Sequence, residues 1–253
     1  MGRWGPTTPF KYGFLGSGYG IIPLIPGSEG VAMDVREALY TTRAMRRVRP
    51  DPIPAEVQAR ILDAAIRAPS GGNAQGWRFL LIDEPAVKAQ LGPLYRDAIA
   101  TLWRTVYSER LERARATPGD PDSVSLLKVQ ASAQHLADHF EAVPMFLAAF
   151  SRGDPTGGSI FPAVWSAQLA ARAEGVGSSL TSVLGIFHGA EANQILGVPA
   201  DHGWIMNCLV SFGYPTGRWG VAPRRPVHEV AYRNAWGADL GFTVTEPLWS
   251  PNS

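Results

Sequence analysis

Residues 41–82 read "TTRAMRRVRPDPIPAEVQARILDAAIRAPSGGNAQGWRFLLI". A basic cluster, a proline turn, a helix, a loop of small and amide residues and a strand follow one another without a gap. Prolines at 50, 52 and 54 forbid helix across "RPDPIP". Pro54 then suits the first turn of a new helix. Val57, Ile61, Leu62, Ala65 and Ile66 give that helix one apolar stripe, and "WRFLLI" (77–82) reads as a strand. Between them, "APSGGNAQGW" (68–77) is far longer than a helix-to-strand join needs. Ser70, Asn73 and Gln75 offer donors and acceptors beside Gly71–Gly72, where a ligand can approach the backbone. The stretch is either an elaborate turn or a contact surface for a flat ring carrying carbonyls and ring nitrogens.

The basic cluster has two readings as well. "MDVREALYTTRAM" (33–45) has Val35, Ala38, Leu39 and Thr42 on one helical face, with Asp34 and Glu37 favouring a helix start. Arg43 and Arg46 then fall three apart at that helix's end, on one face. They form an oxyanion clamp, because guanidinium donors match phosphate geometry, or a solvated end favoured by the helix dipole. A second pair, Arg224 and Arg225 in "APRRP", sits between stiffening prolines and could complete such a clamp.

Working outward, the pattern is helical from Glu84 to about Arg115, with a soft break at Gly92–Pro93, and again from Ser123 to Val143. "PMFLAAF" (144–150) is a short apolar strand. "FPAVWSAQLAARAEG" (161–175) is an Ala-rich helix ended by Gly175, smooth enough for close helix contact. "VGSSLTSVL" is a strand leading into a loop, "AEANQILG" a short helix, and "WIMNCLVSFGYP" (204–215) a strong strand. Strands interspersed among helices without regular βαβ repetition predict an α+β fold or a three-layer helix–sheet–helix arrangement. The expected organisation is an N-terminal arm over 1–32, one domain over 33–237 and a tail over 238–253. Met33 is an alternative start of the chain.

Composition narrows the function classes. The chain has 253 residues, 45% hydrophobic and 18% charged, which fits one ordinary globular domain. A formal net charge of +1 supplies no field to recruit nucleic acid or an anionic membrane. No apolar run reaches the length of a membrane span, and the N-terminus lacks signal-peptide order, so a cytoplasmic protein is expected. The single cysteine, Cys208, lies in an apolar strand and reads as a core residue rather than a catalytic thiol. "GSGYG" (16–20) has no preceding strand or following helix, so it is not a phosphate loop. His135 and His139 share a helix face, but no acid follows His135 as a zincin requires, and no metal is expected. "GVGSSL" lacks the nucleophile-elbow pattern.

Taken in order, the basic cluster, proline turn, helix, "APSGGNAQGW" and strand resemble the opening of the FMN-dependent nitroreductase family. "LGVPADHGWIMNCLVSFGYP" and "RRPVHEV" resemble its closing section, so the likeness spans roughly residues 34–236. The resemblance implies a three-layer α+β homodimer whose chains interlock, with FMN at the interface. Carried over residue by residue, Arg43, Ala44, Met45 and Arg46 fall on the first phosphate block. Arg224, with Arg225 beside it, falls on the late one. Ala44 stands where the family has serine, and Thr42 where it has the first arginine. Pro69, Ser70, Gly71 and Asn73, with Gln75 close by, match the loop that reaches the flavin from the partner subunit. Thr181, Ser182 and Val183 match the segment lining its other side. Gly76 stands where the family has proline. The implied activity is ping-pong hydride transfer at the flavin N5 from NAD(P)H to nitroaromatic or quinone-type acceptors, with no dedicated protein acid or base. Related flavin-dependent dehydrogenation, dehalogenation or flavin fragmentation, or non-catalytic flavin or deazaflavin binding, remain the alternatives.

Overall fold

The computed structural model describes residues 33–250. The expected N-terminal arm and "GSGYG" lie outside the described residues, as does the end of the tail. The helices are α1 (Val35–Thr41), α2 (Ala55–Ala65), α3 (Pro85–Thr101), α4 (Ser108–Ala116), α5 (Pro121–Asp138), α6 (Ile160–Ala173) and α7 (Val183–Ile195). The strands are β1 (Trp77–Ile82), β2 (Met145–Ser151), β3 (Gly177–Thr181) and β4 (Ile205–Gly213). They form one antiparallel sheet in the order β1-β2-β4-β3.

The sheet has helices on both faces, and β2 shows why. All of its residues are buried, as a strand sandwiched between two layers requires. Successive side chains of a strand point to opposite faces. Phe146, Ala148 and Phe150 enter a core with α3, α5 and α7. Met145, Leu147 and Ala149 enter a second core with α2 and α6. In β4, Met206 belongs to the first core and Cys208 to the second, although both are even-numbered. The register shifts there: Ala149 pairs with Cys208 but Phe150 with Met206, leaving Asn207 as the extra residue of a bulge that exchanges the faces. The fold is therefore α+β in three layers, as the element pattern and the resemblance both led one to expect.

Three local expectations change. No break occurs at Gly92–Pro93; α3 runs through it because Leu91, Tyr95, Ala98 and Ile99 are all anchored in the first core, outweighing the lost hydrogen bond at proline. The helix is interrupted ten residues later, by a π-helical turn at Leu102–Val106. Residues 183–195 form one helix, kinked at His188 (φ −137°, ψ 33°), where the sequence suggested a loop and then a shorter helix. Here burial of Val183, Leu184 and Ala192 carries the helix through.

Candidate functional site

The basic cluster does not lie on a helix. Asp34 caps α1, its carboxylate accepting from the Arg36 amide at 3.0 Å. The helix then stops at Thr41, whose hydroxyl donates back to the Glu37 carbonyl at 2.7 Å, and Thr42 is extended (φ −69°, ψ 119°). β-Branched threonines in tandem favour that change. From Thr42 the chain runs along the free edge of β3. The Met45 amide donates to the Ser178 carbonyl at 2.8 Å, Ala44 bridges Ser178 in parallel, and Val48 bridges Pro215. Close approach explains the glycine at 177: a Cβ there would lie 2.9 Å from the Met45 Cβ. The segment thus covers a sheet edge that would otherwise expose unpaired backbone.

Extended geometry sends Arg43 and Arg46 in different directions. Arg43 donates to the Arg218 carbonyl at 2.7 Å. Arg46 turns inward, half-buried, with a long 3.4 Å bond to the Ser132 hydroxyl of α5. Burial lowers the pKa of Arg46, and the phenol of Tyr95 opposes that shift. No carboxylate pairs with Arg46 among the ion pairs of the described residues. Removing a guanidinium from water without an anion is costly, so this geometry suits an anionic ligand. Burial raises the Tyr95 pKa, while Thr181 and Arg46 both oppose that shift. Arg46 and Thr181, expected on separate segments of one site, thus both act on the Tyr95 phenol. Ser182 precedes α7 without a side-chain capping bond, and Val183 is buried beside it. The hydroxyls of Thr42 and Ser179 are buried without a hydrogen-bond partner.

The loop at 69–76 is knitted internally. Gly71–Asn73 form a single 3-10 turn. Gly72 (φ 57°), Asn73 (φ 53°) and Gln75 (φ 48°) are left-handed. For the two amide residues that conformation stores roughly 1 kcal/mol each. The Ser70 hydroxyl accepts from the Gln75 amide at 3.1 Å, and the Gln75 side chain donates to Asn73 Oδ1 at 3.1 Å. Its outer anchor is the Ser159 hydroxyl before α6, which accepts from the Gly71 amide at 3.3 Å. Nothing lies within 4 Å of where a Cβ would stand on Gly71 or Gly72, so this face of the loop is open.

Gly76 now has a reason. A Cβ there would stand 2.6 Å from the Arg152 carbonyl oxygen, and the Gly76 carbonyl accepts from the Arg152 amide at 2.9 Å. Proline carries that Cβ. We expect Gly76→Pro, despite restoring the family residue, to destabilise the chain by about 1–3 kcal/mol. Thermal unfolding checks this; an unchanged or raised midpoint contradicts it.

The loop and the Arg46–Thr181 group are far apart in one chain. The loop leads into β1 and the other group flanks β3, and these are the two edges of the sheet. Three inter-strand spacings put those edges about 14 Å apart. Arg224 and Arg225 stand elsewhere again, lining a cavity of about 640 Å³ with Leu39, Tyr40, Val244 and Leu248. Arg224 donates to the Pro223 carbonyl at 2.8 Å. One chain therefore presents the expected residues as three separate groups.

Sequence reasoning missed two connecting residues. Tyr95 carried no signal beyond its helical spacing. Arg172 in α6 is buried, donates to the Thr41 hydroxyl at 2.8 Å and to Glu37 at 2.9 Å, and lies 4.2 Å from the Trp219 ring centre. Elsewhere, burial pushes the Cys208 thiol up to about 12, so it is no nucleophile at neutral pH. The His135 and His139 rings stack with centroids 4.1 Å apart, and no group of three or more metal-ligating side chains occurs among the described residues. None of the described helices is long and apolar enough to cross a membrane.

Comparison with known proteins agrees with this architecture. The family model described as "Nitroreductase family" matches residues 39–214. A 5,6-dimethylbenzimidazole synthase of Rhodobacter capsulatus is 31% identical over 193 residues, covering 71% of this chain and 82% of that protein. Among solved structures, oxidized iodotyrosine deiodinase bound to FMN and 3-iodo-L-tyrosine superposes with a TM-score of 0.61 at 22% identity, over 78% of this chain and 96% of the other. The FMN-dependent nitroreductase NfnB of Mycobacterium smegmatis, solved with NADPH, gives 0.52 at 22% identity, over 71% and 86%. A basic segment along the edge of β3, a glycine and amide loop ahead of β1 and a family match spanning both lead to one conclusion: this chain belongs to the nitroreductase family.

Proposed function

We propose that the protein is a homodimeric FMN-dependent oxidoreductase that uses NAD(P)H to reduce small planar acceptors of the nitroaromatic or quinone type. The observation that carries this reading is Arg46, a half-buried guanidinium whose hydrogen bond is a long one to a hydroxyl and which has no carboxylate partner among the described ion pairs. Such a cation is matched by a phosphate monoester, which accepts charge-assisted hydrogen bonds. Arg43 and Arg224 would join it only by giving up their present carbonyl acceptors, those of Arg218 and Pro223, and Arg224 also by leaving its own cavity. Ala44 and Met45 would contribute no side-chain donor, and the Met45 amide is already held by the Ser178 carbonyl.

Bound flavin would supply reversible two-electron chemistry, accepting hydride from a nicotinamide and delivering it to the acceptor. The chain's own work is binding and orientation. Ser70, Asn73 and Gln75 present amide and hydroxyl groups on a loop pre-set by its left-handed residues. Pro69 and Gly71 frame its open face. Thr181 and Ser182 present hydroxyls at the end of β3, with Val183 packed behind them. No protein acid or base is assigned. Exposed apolar side chains on α1 (Val35, Leu39), α5 (Val129) and α6 (Phe161, Trp165) supply area for a second copy.

The likeness to a 5,6-dimethylbenzimidazole synthase supports a second reading, in which the same flavin site performs a related flavin-dependent conversion rather than nitro reduction. One anaerobic experiment separates the readings. The purified protein should be yellow, and NADPH or NADH should bleach it before p-benzoquinone or a nitroaromatic restores the colour. Flavin that is bound but bleached by neither nicotinamide favours the second reading. Protein that neither carries nor takes up FMN overturns both.

A further inference from the structure

We propose that Arg78, Trp204 and Arg152 anchor the 2′-phosphate of NADPH, so that the protein takes NADPH rather than NADH as its hydride donor. The inference rests on the flavin reading above and gives the donor a second point of attachment, on residues outside every segment matched to a flavin contact.

Three elements bring these residues together. In β1 and β2 the even-numbered side chains face the first core, as Ile82 and Phe150 do. Arg78 of β1 shares that face, and Arg152 follows Phe150 by two residues, just past the end of β2. The Arg152 amide donates to the Gly76 carbonyl at 2.9 Å, which carries the pairing of the two strands one step further. Trp204 arrives from the turn before β4, where Gly203 is left-handed (φ 65°), and its ring packs against the same core. Both guanidiniums lie over that indole, their carbons 5.1 Å (Arg78) and 5.2 Å (Arg152) from the ring centre.

Two cations gathered on one ring repel each other, and an anion between them relieves the repulsion. Neither has a carboxylate partner among the ion pairs of the described residues. Acids close by in the chain are engaged elsewhere. Asp154 accepts from the Ser159 and Ile160 amides at 3.0 and 2.9 Å, and Asp201 lies 3.4 Å from His202. Arg78 donates one N–H to the Trp77 carbonyl at 2.6 Å, which pins it in place. Arg152 makes no side-chain hydrogen bond among the described residues. A guanidinium stacked on an indole keeps its N–H groups in its own plane, with an edge open to a bidentate oxyanion. Both arginines are exposed, so a ligand reaches them from solvent.

Position selects the anion. Gly76 ends the loop proposed to face the flavin, and Arg152 is bonded to it. The adenosine half of a donor whose nicotinamide stacks on the flavin leaves along this loop and meets the platform where the chain enters β1. Its 2′-phosphate is a monoester, close to a dianion at neutral pH. Nitroaromatic and quinone acceptors need carry no such group, and NADH lacks it.

The full-length protein, supplied with FMN, is titrated calorimetrically with adenosine 2′,5′-bisphosphate, with 5′-AMP and with inorganic phosphate. The bisphosphate should bind roughly tenfold or more tightly than either of the others. Arg78→Gln and Arg152→Gln should each weaken it roughly tenfold, and the lysine variants should recover only part, because an ammonium neither stacks nor offers a planar edge. In anaerobic stopped-flow reduction of the bound flavin, the parent should favour NADPH over NADH by roughly tenfold or more, and either glutamine variant should cut that ratio by a similar factor. Both side chains are exposed, so an unchanged unfolding midpoint shows that a variant has kept the fold. Equal binding of the bisphosphate and 5′-AMP overturns the proposal, as do glutamine variants within twofold of the parent. Inorganic phosphate bound as tightly as the bisphosphate overturns it too, since the platform would then be a general phosphate site. Protein that carries FMN but does not favour NADPH overturns this inference and leaves the flavin reading standing. Protein that takes up no FMN removes the flavin reading, whatever the bisphosphate does.

Discussion

Arg172→Met should lower the unfolding midpoint by roughly 6–12 °C, the largest stability loss we expect from a single change that leaves the core volume intact. The side chain is 7% exposed. It joins three parts of the fold: α6, which carries it, α1, through Thr41 and Glu37, and the segment after β4, through Trp219. Burial lowers the Arg172 pKa, while Glu37 opposes the shift. Methionine fills the space but gives up two charge-assisted hydrogen bonds and a desolvated cation–π contact, together about 3 kcal/mol. Glu37 is 39% exposed, so water takes over its carboxylate and the loss stays below that of a stranded buried charge. For a chain of this size each kcal/mol moves the midpoint by about 2–4 °C. Arg172→Lys should recover only part of the difference, because an ammonium lacks the planar fork that meets Thr41 and Glu37 while lying under an indole. A midpoint for Arg172→Met within 2 °C of the parent removes this account. The change also reaches the candidate site. Trp219 adjoins Arg218, whose carbonyl holds Arg43, so FMN should bind more weakly in Arg172→Met as well.

What the sequence revealed and what it hid divide along one physical line. Elements defined by their own periodicity were legible. The stripe of α2, the continuous apolar run of β2 and the order of helices and strands all led to three layers. The loop at 69–76 was legible as unusual, because glycines and amides in such density have few other uses. Features decided by a distant partner were hidden. Arg43 and Arg46 read as neighbours on a helix, yet the edge of β3 draws their segment into an extended path and parts them. Gly76 looked like a departure without cause until the Arg152 carbonyl appeared beside it. Arg172 did leave a trace. It follows Ala163, Val164, Ala167, Gln168 and Ala171 on the buried side of α6, where a lone arginine needs a partner. Tyr95 left none, since a tyrosine on a buried stripe looks the same whether or not its hydroxyl has work to do.

A mixture of two defective chains should regain about a quarter of the parental flavin sites, and this result would establish that each site is built from both. One chain cannot wrap a single flavin with the loop before β1 and with the Arg46–Thr181 group, because the whole width of the sheet lies between them. A second copy can bring its own loop to the first copy's β3 edge. Arg46→Gln removes the charge facing the proposed phosphate while keeping a polar side chain, and should weaken FMN binding roughly 10- to 100-fold. Gly71→Trp should be harmless to its own chain, since nothing lies within 4 Å of a Cβ at that position. It should nevertheless fill the space that the loop offers across the dimer. Each variant alone is then nearly empty of FMN at a concentration that saturates the parent. Random pairing of the two chains makes half of all dimers mixed, and each mixed dimer joins one undamaged Arg46 to one undamaged loop in one of its two sites. The intact share is therefore about one quarter. Co-expressed chains carrying different affinity tags isolate the mixed species, in which half the sites should fill. If Arg46 and Gly71 of the same chain served the same site, no pairing would restore one, and mixtures would stay as empty as their parents. A mixed dimer without FMN, from chains that fold and pair, would rule out the shared site and return the search to a single-chain pocket.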